Sequence, residues 1–149
     1  MTVTEILTKL ERYCAYQDRC TQEVMRKLLG WQVDEETSRQ LLQQLKNDGF
    51  IDDERYVHSF IRGKIGIKQW GKQKIRMSLL QKGINKELIN KYLEEIIPQQ
   101  YTDNLQIAIR KWTQSHGDIT QDNITKLYRH LMAKGYTYEE IKGELKPVT

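Results

Sequence analysis

Residues 49–84 read GFIDDERYVHSFIRGKIGIKQWGKQKIRMSLLQKGI, and helical spacing is legible in them from the first acidic pair onward. Asp52 and Asp53 stand where a helix starts, because their carboxylates cap free N–H groups and meet the positive end of the helix dipole. Tyr56, Val57, Phe60, Ile61 and the stem of Lys64 then share one side, while Arg55, His58, Ser59 and Arg62 form the opposite stripe. This pattern predicts a helix that packs one face and presents the other. The glycines of RGKIGIKQWGKQK predict a bend that exposes Lys64, Lys68, Lys72 and Lys74 around Trp70. That mixture of amines and an indole suits a phosphate backbone and a stacked base, although Trp70 serves equally well as a core plug. A helix over Lys72–Lys82 follows, with Ile75, Leu79 and Leu80 inward. Another runs over Lys86–Ile97, and Pro98 ends the unit.

The same plan recurs on both sides. Upstream, Ile6, Leu10, Tyr13 and Cys14 mark one helix, Val24, Met25, Leu28 and Leu29 a second, and Leu41, Leu42 and Leu45 a third, with Gly30 and Gly49 as stops. Downstream, Leu105, Ala108, Ile109 and Trp112 lead to Ile124, Leu127, Tyr128, Leu131 and Met132. A short last helix then opens at the Thr137/Glu140 capping box. Gly30, Gly83 and Gly135 each close a middle helix and lie 53 and 52 residues apart. The fold predicted is therefore all-α: three tandem three-helix repeats, helix-turn-helix-like, over residues 1–50, 51–98 and 99–149. Small units of this kind stack into an elongated, curved array. Removal of the third unit after Pro98 is expected to harm function more than the folding of the first two.

Charge is unevenly spread along the 149 residues. Residues 54–91 carry ten Lys or Arg against Glu54 and Glu87 alone, a net charge of +8, whereas residues 1–53 hold 7 basic and 10 acidic side chains and residues 92–149 hold 7 and 8. A basic block with its acids missing is the footprint of phosphate contact or of an acidic protein surface.

Other chemistries find little footing. Cys14 and Cys20 form no C-x-x-C pair and read as free thiols. His58, His116 and His130 lack ligand spacing, so neither metal nor cofactor is implied. Gly63, Gly66 and Gly71 lack the P-loop spacing and a preceding strand. No apolar run approaches the roughly 20 residues of a membrane span, and Glu5, Lys9 and Glu11 interrupt any leader-like stretch. The expectation is a cytoplasmic, monomeric, non-enzymatic binding protein without membrane contact.

GFIDDERYVHSF followed by KIRMSLLQKGI resembles the central signature of the RecX family. Gly49, Phe50, Ile51, Asp52, Asp53, Arg55, Tyr56, Phe60, Gly71, Ile75, Leu79, Lys82, Gly83 and Ile84 hold its places. The likeness extends through AYQDRCTQEVMRKLL and LYRHLMAKGYTYEEI. Gln17, Cys20 and the Ile65–Gly66–Ile67 run depart from it. The resemblance implies a regulator that binds the RecA recombinase filament on single- or double-stranded DNA and curbs strand exchange and co-protease activity. The contact residues expected are Arg55, Arg62, Lys64, Lys68, Trp70, Lys72, Lys74, Arg76 and Lys82. The rival reading is a stand-alone DNA-binding protein, weakened by the lack of a helix rich in exposed Asn, Gln and Arg. A DNA-processing enzyme comes third, since the basic block offers only two acids.

Overall fold

Ile6, Leu10 and Cys14 recur every four residues, and Thr2 Oγ1 accepts the Glu5 N–H at 3.1 Å, so the first helix has both a cap and a buried side. In the computed structural model, which describes residues 1–146, this helix is α1 (Val3–Tyr16), followed by α2 (Thr21–Gly30) and α3 (Glu35–Asn47). The second unit comprises α4 (Asp53–Gly63), α5 (Lys72–Gln81) and α6 (Lys86–Leu93), and the third α7 (Pro98–His116), α8 (Ile124–Ala133) and α9 (Tyr138–Glu144). Among the described residues all regular structure is helical, and three tandem three-helix units form the array.

One local device ends every middle helix. The carbonyls of Leu28, Leu79 and Leu131 accept the N–H of Val33, Ile84 and Tyr136 at 3.0, 3.1 and 3.2 Å, a six-residue closure. The residue just before each donor is left-handed: Gln32 (φ 58°), Gly83 (φ 75°) and Gly135 (φ 106°). A capping side chain follows each time, from Asp34, Asn85 and Thr137. The repeat register therefore runs Gln32, Gly83, Gly135, with spacings of 51 and 52 residues. Gly30, expected to be the counterpart of Gly83, is instead the last helical residue of α2. Glutamine fills the left-handed place at a cost of roughly 1–2 kcal/mol.

Three further expectations are corrected. Leu80, expected inward with Ile75 and Leu79, is 39% exposed, whereas those two are wholly buried. Successive helical residues point about 100° apart, so a Leu–Leu pair sends only one member to the core. Pro98 does not end α6, which closes at Leu93 through tightened bonds such as Ile96 N–H to Leu93 O. It occupies the first turn of α7, where its missing N–H is no loss, and it holds Ile97 extended (ψ 120°). Finally, the glycine-rich stretch is no simple bend. The helix runs on past Gly63 as a π turn over Lys64–Lys68, and the chain reverses at left-handed Gln69 (φ 56°).

Burial divides unevenly among the repeats. The first has its own core of Ile6, Leu10, Cys14, Val24, Leu28, Leu41, Leu45 and Ile51. The second and third share one continuous core from Tyr56 to Ile141, which also takes in Cys20 of the first. Deleting everything after Pro98 would strip Leu105, Ile109 and Trp112 from that core. Each fully buried side chain of this size contributes about 1.5–3 kcal/mol, so removing the third unit is also expected to destabilise the second. The chain exposes 9593 Å², whereas a compact monomer of this mass exposes about 8,000 Å², in keeping with an elongated body. No helix among the described residues is long and apolar enough to cross a membrane.

Candidate partner-binding surface

The polar stripe of α4 is mostly engaged with neighbouring elements. Asp18, in the α1–α2 loop, accepts Arg55 Nε at 3.0 Å and Ser59 Oγ at 2.8 Å. His58 lies against Tyr92 with ring centroids 5.0 Å apart. Asp52 caps α4 by accepting the Arg55 N–H, but Asp53 reaches back 32 residues to accept both the N–H and hydroxyl of Thr21 at the start of α2. Lys82 meets Glu23 at 3.6 Å. The face expected to be presented is thus in large part a joint between the first two repeats, and Arg55 and Lys82 are tied into it. Exposed pairs of the Arg55–Asp18 kind are worth about 0.2–1 kcal/mol each, so they fix orientation more than they add stability.

The junction of the second and third repeats is built differently. Gly71 N–H donates to Lys134 O at 2.8 Å, Gln73 N–H to Gly135 O at 3.0 Å, Tyr136 OH to Gln69 O at 2.8 Å, and Asn104 Nδ2 to Ile65 O at 2.9 Å. Tyr101 OH accepts the Lys72 N–H at 2.9 Å and donates to Glu140. A Cβ on Gly71 would run into the Gly135 backbone, so glycine alone permits this approach. Burial pushes the Tyr136 phenol up to about 12, with the Glu140 carboxylate adding to the effect.

Over this junction lies a cluster of amines. Trp70 is half-buried, set edge-on to Phe60, with Lys64 Nζ 4.5 Å and Lys74 Nζ 4.2 Å from its ring centre. Half-buried Lys134 has its ammonium held below the ordinary lysine value, first by burial and then by Lys111 and Lys74. None of Lys64, Lys74, Lys111 and Lys134 forms an ion pair among the described residues. Lys74 thus links two groups of amines that lack a carboxylate partner, Lys64 across the Trp70 ring and Lys111 with Lys134, a composition that suits polyanionic oxygen. A base stacking on a Trp70 face that one of these amines covers would have to displace it.

The other expected contact residues scatter. Lys72 lies over the Tyr101 ring at 4.8 Å, Lys68 is exposed on the π turn, and Arg76 donates to Gln73 Oε1 at 2.8 Å. Arg62 lines a separate groove of about 360 Å³ with His58, Ile61, Tyr92 and Ile96. Lys111 and Lys134 lie outside the basic block, in a repeat whose charges nearly balance (7 basic and 6 acidic side chains over residues 99–149), so charge along the chain does not single them out. A signal existed, since Lys134 precedes Gly135 as Lys82 precedes Gly83. Among the described residues no group of three or more His, Cys, Asp or Glu could hold a metal ion.

Comparison with known proteins extends this picture. The family model for the second three-helix domain of RecX matches residues 52–93, the span of α4 to α6. Regulatory protein RecX of Clostridium botulinum (strain Alaska E43 / Type E3) is 34% identical over 116 residues, covering 76% of this chain and 54% of its own. That of Oceanobacillus iheyensis is 27% identical over 136 residues, 91% and 50% of the two chains. A crystal structure of regulatory protein RecX superposes with a TM-score of 0.80 at 26% identity, over 95% of this chain and 72% of that one.

The chain belongs to the RecX family. It spans about half the length of the curated relatives it matches. RecX from Lactobacillus salivarius shares the fold at a TM-score of 0.80 and 21% identity, over 95% of this chain and 93% of its own. The RecX-like signature now has a physical reading: Gly49 (φ 79°) closes α3, Asp52 caps α4, Asp53 caps α2 and Arg55 holds Asp18. Of these residues, Asp53 and Arg55 tie the second repeat to the first.

Proposed function

We propose that this protein is a non-enzymatic regulator that binds the RecA recombinase filament on DNA and mainly inhibits its recombination and co-protease activities. It acts as a cytoplasmic monomer without membrane contact. The observation that carries the reading is the unpaired amine cluster of Lys64, Lys74, Lys111 and Lys134 at a junction of an elongated repeat array. Polyanion affinity of this kind is electrostatic and independent of base sequence. With Arg62, Lys68, Lys72 and Arg76 it forms the nucleic-acid side of the contact, while family membership supports the recombinase as the protein side.

Binding to single-stranded DNA, bare and coated with recombinase, over a salt series tests this. Tighter binding to the coated strand, with a salt slope shallower than the number of cluster lysines would give on bare DNA, is the expected result. Equal affinity for both forms would favour the stand-alone DNA-binding alternative.

A further inference from the structure

Among the described residues, the middle helices repeat more than their caps. Leu28, Leu79 and Leu131 are wholly buried at one register, and the next residue in each repeat is a large apolar side chain facing solvent: Leu29 at 66%, Leu80 at 39% and Met132 at 51%. Single exposed leucines are ordinary, but the same exposed register in all three units of a tandem array asks for a cause that also repeats. The helix-end closure is not that cause. Its apolar contact joins the residue whose carbonyl is capped to the donor after the left-handed residue. Those are Leu28 with Val33, Leu79 with Ile84 and Leu131 with Tyr136. Leu29, Leu80 and Met132 take no part in it.

Each exposed side chain also has an arginine about one turn back on its own helix, three residues before Leu29 (Arg26) and Met132 (Arg129) and four before Leu80 (Arg76). None of the three arginines forms an ion pair among the described residues. An apolar side chain flanked by an uncompensated guanidinium is the composition of an interface anchor, and it complements an apolar patch edged by carboxylates.

We infer that Leu29, Leu80 and Met132, with Arg26, Arg76 and Arg129, are equivalent docking points for a protein polymer that presents an acidic-edged apolar patch on successive subunits. A partner with a single such patch would use one repeat and leave the other two registers without function. The inference rests on the filament-binding reading above and meets the nucleic-acid side only at Arg76; the substitutions that test it are at the apolar positions alone, so the two fail separately. Contacts of this kind add through effective concentration, and each is weak alone.

The test uses the full chain with Leu29→Ser, Leu80→Ser and Met132→Ser, singly and together, against recombinase filaments and against bare DNA. All three sites are exposed, and circular dichroism with thermal melting checks that the helices persist. Each single variant is expected to weaken filament binding roughly tenfold, the triple variant by about a hundredfold or more, with bare-DNA affinity unchanged. Wild-type affinity in the triple variant would overturn the inference and leave the filament reading standing. So would a loss confined to one repeat, or a wild-type chain that sedimentation shows to self-associate through these residues. A wild-type chain that ignores the filament would remove both.

Discussion

Lys134 shows how far a side chain's role depends on its neighbours across a repeat boundary. Its proton is bound less tightly in the folded chain than in the unfolded one. This penalty is therefore present below the lowered value and is relieved as pH rises towards 10.5. Removing the amine should consequently leave stability unchanged or slightly raised while harming polyanion binding. Lys134→Ala and Lys74→Ala are each expected to reduce the salt slope of DNA binding by about one unit, measured by titration at several ionic strengths. A marked fall in melting temperature for Lys134→Ala, with an unchanged slope, would contradict this account. The sequence pointed to Lys64 and Lys74 because they sit in a block without acids. For Lys134 the only local hint was the Lys–Gly pair it shares with Lys82, and Lys111 had none, because their proximity to Lys74 arises only when two repeats stack. Arg55 and Lys82 illustrate the reverse case, since net charge along the chain does not reveal that Asp18 and Glu23 meet them from another repeat.

The helices themselves were legible at the scale of elements, because caps and apolar spacing are local. Asp52 and the Thr137/Glu140 box sit at helix starts as their side-chain chemistry requires. Joints were less legible. Glycine content suggested a bend over residues 62–74, but Gly63 and Gly66 have open space around them in a continuing helix, and only Gly71 is held by a close approach. The distinction is measurable. Gly63→Ala should stabilise the chain by up to about 1 kcal/mol, since alanine favours a helix over glycine. Gly71→Ala should destabilise it by about 1–3 kcal/mol as the added methyl is forced against the Gly135 backbone. Denaturant unfolding of the two variants compares them directly, and equal tolerance would show that the repeats are not seated as closely as described.

For the whole molecule, the all-α class followed from helical apolar spacing and the repeat number from glycines 53 and 52 residues apart, whereas the sharing of one core by the second and third units did not. Periodicity reports what each unit buries within itself and is silent about faces buried between units. That shared core makes the last two repeats a single platform for the amine cluster, with the first repeat docked on it through Cys20, Asp53 and Asp18. The central claim is that this platform acts on a recombinase filament and does not simply coat DNA. Strand exchange driven by the recombinase, measured while the protein is titrated from far below to above DNA saturation, tests it most directly. Inhibition well below saturation, with no effect on an unrelated DNA-dependent enzyme at the same concentrations, is the predicted result. Inhibition that begins only when the DNA is covered, and is equally strong against the unrelated enzyme, would contradict it.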